Sequence, residues 1–265
     1  MRIISLSSGS KGNAYVVEQD GVAILIDCGI GSRTLKRRLS DVMANPPESF
    51  EAVLLTHSHA DHVCGLMPFA SHNPDVPIYA NEMTAETVVH DCGVPGEVFA
   101  CFENGQTFNV GPFEVSSFSI PHDTSDPVGF LVKAWPSGGM EMPLTYFHCT
   151  DVGAPLDSVG LKLAEADVAT LESNHDPVLL KTSGRFPALI QRISGPRGHL
   201  SNEQACELVA RFASPRLKTL ALAHLSQDCN APHIAQGAMC ETLARMGRDD
   251  VSLKILSQNE PVAIL

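Results

Sequence analysis

The chain has 265 residues, 44% apolar and 18% charged, which supplies ample apolar surface for one large core and excludes a disordered polymer. Against 18 basic residues stand 30 acidic ones, a formal charge of −12. A protein that coats polyanions by long-range attraction is thereby excluded, whereas an enzyme on nucleic acid is not, because bound divalent cations reverse the field locally.

In chain order, the first half reads as short β-rich runs separated by turn signals: Arg2–Ser8, Asn13–Gln19, Val22–Cys28, Ala52–Thr56, Pro77–Ala80 and Phe113–Ile120. Asp20-Gly21 between the second and third runs is a strong hairpin signal, so the opening is predicted to be an antiparallel meander. A basic segment, Ser32–Met43, has helical spacing of its apolar positions and is predicted to cross one face of that sheet. The second half adds strand candidates Val128–Ala134, Pro143–Cys149, Asp167–Ser173, Thr219–Leu225 and Ser252–Ser257. It also carries clearer helices. Ser201 and Gln204 form a capping-box pattern ahead of Ala205–Ala213, and Pro232 and Gly247 bracket a second helix. No repeat, linker or low-complexity tract interrupts the pattern, so residues 1–265 are expected to form one α/β (α+β) domain of two mixed sheets between outer helices.

Eight cysteines at 28, 64, 92, 101, 149, 206, 229 and 240 lack CxxC pairs, which fits buried thiols in a reducing compartment better than a disulfide framework. The N-terminus has no sustained apolar region, and no stretch approaches the roughly 18 apolar residues of a membrane span. A cytoplasmic protein with no membrane partner is expected.

The densest chemical signal is Thr56-His57-Ser58-His59-Ala60-Asp61-His62, at the end of the run Ala52–Thr56. In extended backbone, residues i and i+2 project to one side, so His57 and His59 can grip one ion as the chain leaves its strand. A helix is expected to start there, letting Asp61 and His62 point elsewhere and reach a second ion. Imidazole with carboxylate suits zinc, manganese or iron, and two such ions roughly 3.5–4 Å apart can share an activated water. A polar turn with chance histidines is the bland alternative, and a pattern this dense after a strand argues against it.

This motif resembles the HxHxDH signature of the metallo-β-lactamase superfamily at every position. The resemblance implies a four-layer αββα sandwich and a further ligand set. Here Asp27 ends Val22–Cys28, His122 follows Phe113–Ile120, Asp151 follows the run ending at Cys149, and His224 ends Thr219–His224. By that pattern His57, His59 and His122 hold one metal, Asp61, His62 and His224 the other, and Asp151 bridges, giving two divalent ions per chain and no organic cofactor. Asp27 is implied to orient the histidine loop.

Further segments, Leu6–Val17, Leu171–Leu180, Arg192–Asn202 and His224–Asn230, look like the YycJ/WalJ-type branch, and with the histidine motif the resemblance covers nearly the whole chain. It implies 5′-to-3′ exonuclease action on double-stranded DNA by a dimetal-activated hydroxide. Catalytic roles are then expected for Asp61, orienting or deprotonating the nucleophile besides binding metal, and for His199 as proton donor. Substrate contacts are expected from Ser8, Ser10, Lys11 and Asn13 in a glycine-serine loop, from Asn174 and His175 after a strand, and from His199 beside a helix N-terminus. Glycine-serine turns are usually only turns, and a lone histidine is usually a loop residue.

Lys181 to His199 is locally basic, with Lys181, Arg185, Arg192 and Arg197 and no acid between them, which reads equally as a phosphate-facing wall or as solvated charge. Arg33, Lys36, Arg37 and Arg38 read better as a solvated helix face. Aromatic content of 6% with a single Trp135 disfavours a multi-base stacking platform. The length leaves no room for a β-CASP insertion, and no long arm of the tRNA-processing kind is evident. A small-molecule hydrolase acting on a cyclic phosphodiester or thioester would use the same centre. A non-catalytic metal-binding sensor or interaction protein would ordinarily have lost a ligand, and none is lost here.

Overall fold

Strand after strand in this chain is apolar on both sides. The structure, a computed structural model describing residues 1–135 and 142–265, gives the reason. Strands β1 (Arg2–Ser7), β2 (Ala14–Gln19) and β3 (Val22–Ile26) form the expected antiparallel meander. Its Asp20-Gly21 turn has φ of 53° and 86°, the doubly positive backbone that lets two strands meet through a two-residue loop. From there the pairing turns parallel through β4 (Ala52–Leu54), β5 (Ile78–Ala80) and β6 (Phe99–Cys101), and β14 (Val262–Ala263) closes the other edge. The second sheet runs β7 (Thr107–Val110), β8 (Phe113–Ser119), β9 (Val128–Ala134) and β10 (Leu144–Cys149) antiparallel. It continues parallel through β11 (Val168–Glu172), β12 (Thr219–Ala223) and β13 (Ser252–Ile255).

The period-2 alternation of each strand divides its side chains between two cores. Ile24 and Ile26 of β3 face the second sheet, packing in a cluster with Phe130, Val132 and Tyr146. Leu25 between them faces outward, in a cluster with Leu35 and Leu39 of helix α1 (Ser32–Val42). On the second sheet Phe147, Leu171 and Leu222 turn outward to α5 (Asp157–Leu163), α8 (Asn202–Phe212) and α9 (Pro232–Arg245). Buried on both faces, central strands lose the polar alternation of a half-exposed strand. The result is the expected αββα arrangement, with both sheets mixed.

The capping box at α8 forms as read: Ser201 Oγ accepts from Gln204 N, and Gln204 Oε1 accepts from Ser201 N. Helices α2 (Ala60–Val63) and α3 (Leu66–His72) follow the histidine motif. Elements that pattern reading does not find are β6, β7, β14, α4 (Glu82–Cys92), α5, and the pair α6 (Pro177–Lys181) and α7 (Pro187–Ser194). Arg38 departs from the solvated-face reading. It is buried, and its guanidinium donates to the carbonyls of Leu6 at 2.8 Å and Gln258 at 3.1 Å, tying α1 to the sheet edge. Among the described residues no helix is long and apolar enough to cross a membrane.

Candidate metal centre

Three of the predicted site residues sit in left-handed backbone: Asp27 directly after β3 (φ 58°), Asp151 two residues past β10 (φ 60°) and His224 directly after β12 (φ 54°). That region is unfavourable for residues with a Cβ, least so for Asp, Asn and His, and it persists only where surrounding structure imposes it. Here it turns each side chain from the end of its strand into one cleft.

Backbone bonds hold the His57–His62 loop, in addition to those its side chains make. Asn13 N donates to Asp61 O at 2.7 Å, Cys28 N to His62 O at 2.8 Å, and Gly65 N to Cys28 O at 2.8 Å. Contact is so close at Gly29 that an added Cβ would lie 1.7 Å from Asp61 O. Only glycine fits there.

Ligand-type atoms gather in overlapping groups, each within 4.8 Å: His57, His59 and His122; Asp61, His62 and His224; and His57, His62 and Asp151. Asp151 touches both sides, its carboxylate oxygens lying 3.1 Å from His62 Nε2 and 3.7 Å from both His122 Nε2 and His224 Nε2. His59 Nδ1 and His122 Nε2 approach to 3.1 Å.

Partners on the far ring nitrogens set the imidazole orientations. His62 Nδ1 donates to Asp27 Oδ2 at 2.7 Å, and Asp27 also accepts from the Thr56 amide and hydroxyl at 2.9–3.0 Å. His122 Nδ1 donates to Gly198 O at 3.0 Å. His57 Nδ1 meets the Thr56 hydroxyl at 3.0 Å. On the second sheet Glu172, fully buried, accepts from His199 Nδ1 at 2.8 Å and His224 Nδ1 at 3.1 Å, and from the amides of Val152 and Leu200. In His57, His62, His122 and His224 the remaining nitrogen is thus left to the cluster, which is how outer partners orient metal-binding histidines.

Charge follows burial and neighbours. Burial drives His57 well below the usual imidazole range, helped by the adjacent His62, leaving it neutral. Burial also opposes charge on His224, but Asp151, Asp61 and Glu172 outweigh it and push this ring up to about 10. His62 is raised in the same way by Asp27, Asp151 and Asp61 against its burial. Against their own burial, His62 holds Asp61 down to about 2, and His199 and His224 hold Glu172 down to about 2.

At the centre His57 Nε2 is buried without a hydrogen bond, and Asp151 Oδ2 is buried with only His62 Nε2, at 3.1 Å, beside it. Unpaired buried polar atoms are costly. A bare imidazole nitrogen and a carboxylate oxygen aimed into a histidine cluster form a donor set suited to a divalent cation, so these residues fit a metal.

All seven predicted ligands therefore converge, with Asp27 behind them. His199 lies alongside, its side chain 21% exposed. Ser10 and Asn174 line a cavity of about 120 Å³ that His199 also borders, and Lys11 is exposed on the same loop as Ser10. Ser8, Asn13 and His175 depart from the expectation of substrate contact. Ser8 Oγ is buried and accepts from the His224 amide and the Tyr15 hydroxyl, both at 2.8 Å. Asn13 is buried against His62 Nε2 at 3.0 Å and donates to Asp61 Oδ2 at 3.2 Å. His175 is buried in a bridge to Ser201, its carbonyl accepting from Asn202 at the start of α8. The first two brace ligands, and the third braces a helix end.

Pattern reading passes over Glu172 and Asp123, and finds Arg197 only as one charge of a basic stretch. Asp123 Oδ1 is buried without a hydrogen bond, 3.6 Å from His122 Nε2 and 3.8 Å from His59 Nε2. Arg197 Nε donates to His122 O at 2.9 Å. Glu172 had a readable signal, a carboxylate ending a fully buried apolar strand, which is costly without a dedicated partner.

A family profile described as a beta-lactamase superfamily domain matches residues 23–224. The chain is 30% identical over 244 residues to the exodeoxyribonuclease WalJ of Streptococcus pneumoniae, covering 91% of this chain and 87% of that protein. To the exodeoxyribonuclease YycJ of Bacillus anthracis it is 31% identical over 244 residues, covering 91% and 89%. Among solved structures, Zn(2+)-bound PqqB from Methylobacterium extorquens superposes with a TM-score of 0.71 at 14% identity over 99% of both chains, a likeness of fold alone.

Proposed function

The chain belongs to the metallo-β-lactamase superfamily, in its YycJ/WalJ-like branch, and from that premise we propose that it is a metal-dependent DNA exonuclease with two divalent cations at its centre. The observation that carries this reading is Asp151, one carboxylate within reach of histidines from both ligand groups. Similarity to two exodeoxyribonucleases over 91% of the chain supports DNA as the substrate.

Zinc, manganese or iron held there supplies Lewis acidity, lowering the pKa of water and offsetting charge on a phosphoryl group. The protein's own part is positioning. His57, His59 and His122 would hold one ion, Asp61, His62 and His224 the other, with Asp151 within reach of both groups. Asp61, 23% exposed at its side chain, is the ligand carboxylate open to the cleft and orients the attacking water. Glu172 fixes His199 through Nδ1, and against burial it keeps this imidazole charged more readily than usual. His199 Nε2 can then give a proton to the leaving oxygen, as a general acid must.

The metal-loaded protein is expected to shorten end-labelled duplex DNA progressively from its 5′ end, and His59→Ala is expected to stop it. Failure on DNA with turnover of cyclic phosphodiesters or thioesters would reassign the same centre to a small-molecule hydrolase.

A further inference from the structure

The α6–α7 arm, residues 177–198, stands out because so little of it is packed. Helix α7 has no buried residue. Phe186, immediately before it, is 84% exposed, and Val178 and Leu189 are exposed as well. Exposed apolar groups with a polar surround mark interaction sites. Lys181, Arg185, Arg192 and Arg197 lie in this stretch, and no acidic residue falls between Asp176 and Glu203 in a chain of formal charge −12.

Two of these arginines fasten the arm to the metal centre. Arg192 Nε donates to Asp123, which neighbours His59 and His122, and Arg197 holds the His122 carbonyl. A third, Arg185, lines the cavity of about 120 Å³ together with Ser10, Asn174, His199 and Ser226. That volume equals about four waters at ~30 Å³ each. It has room for a phosphate group, and Phe186, next in sequence to Arg185 and 84% exposed, is free to meet a base that stays outside. Arg185 is also paired with Asp228 at 2.8 Å, but Asp228 is 76% exposed, and such a surface pair is weak enough for a phosphate to compete.

We infer that this arm is the docking surface for the DNA strand beside the metal centre, with Arg185 holding a backbone phosphate in the small cavity and Phe186 stacking on the adjoining base. The inference rests on the nuclease reading above. The cationic stripe favours a polyanion over a protein partner. A single exposed ring suits an enzyme that advances along any sequence, because stacking on an aromatic face is tolerant of base identity.

The test compares kcat/KM for a blunt duplex with kcat/KM for bis(4-nitrophenyl) phosphate, using the full metal-loaded chain. In Phe186→Ala the ratio of duplex to small diester is expected to fall about tenfold, mainly through KM for the duplex, and Phe186→Trp is expected to restore it. Arg185→Ala is expected to lower the same ratio and to flatten its dependence on salt. An unchanged ratio in Phe186→Ala overturns the inference, including the case where the variant instead changes oligomeric state and so reveals a protein contact. If the unmodified protein cleaves the small diester but no DNA, the nuclease reading itself fails and the inference falls with it.

Discussion

The two sheets contribute to the metal centre in different ways. From the first comes one continuous loop, His57 to His62, clamped by backbone bonds to Asn13 and Cys28 and fitted against Gly29. The second contributes side chains singly, His122 after β8 and Asp151 and His224 from the ends of β10 and β12, the last two placed by the parallel register through β11, where Cys149 pairs with Leu171 and Glu172 with Ala223. Both halves nevertheless brace their histidines alike, with a buried carboxylate on Nδ1: Asp27 behind His62, Glu172 behind His224 and His199. A compact loop can thus be built by local sequence, whereas dispersed ligands need a whole sheet as their ruler.

Asp151 belongs to both halves, so its loss should break the comparison most completely. Asp151→Ala is expected to lower hydrolysis about a thousandfold or more, since a metal centre contributes several kcal/mol and about 1.36 kcal/mol is a factor of ten. Circular dichroism should find the variant folded, and steady-state kinetics should find it inactive.

Next come the two braces. Asp27→Asn and Glu172→Gln are each expected to weaken metal binding about 10- to 100-fold, the usual cost of removing an outer partner of a ligand. Glu172→Gln should additionally alter the pH profile of kcat, because His199 loses the carboxylate that favours its charged form, and Asp27→Asn should not.

Acidity sharpens the same contrast. The raised His224, at about 10, carries a proton through the neutral range in the metal-free protein, and a cation requires its bare nitrogen. Metal binding at pH 7 should therefore release protons, measurable by calorimetry in buffers of different ionisation enthalpy, and affinity should rise with pH until about 10.

Smallest is a packing effect confined to the loop. Gly29→Ala places a methyl against the Asp61 carbonyl, an overpacking that costs about 1–3 kcal/mol. Tm should fall by several degrees, read by calorimetry on the metal-free protein.

The loop's ligands were legible in residue order because they are contiguous, whereas Asp27, His122, Asp151 and His224 were picked out only through the family resemblance, each alone being an ordinary polar residue after an apolar run. The αββα layering was legible for a related reason, since strands buried on both faces read as unbroken apolar stretches. Ser8 and Asn13 misled because a glycine-serine loop has the same composition whether its side chains face a phosphate or turn inward to Asp61 and His224. Helix α4 escaped notice through weak amphipathicity, although Asn81 caps it and Gly93 ends it in left-handed backbone. Glu172 went unread because its partners, His199 and His224, become neighbours only after β11 and β12 pair.

Anomalous diffraction from metal-loaded crystals, collected on either side of the metal's absorption edge, tests the central claim most directly. Two peaks flanking the Asp151 carboxylate are predicted, one among His57, His59 and His122 and the other among Asp61, His62 and His224. A single peak, or peaks bound away from Asp151, would contradict it.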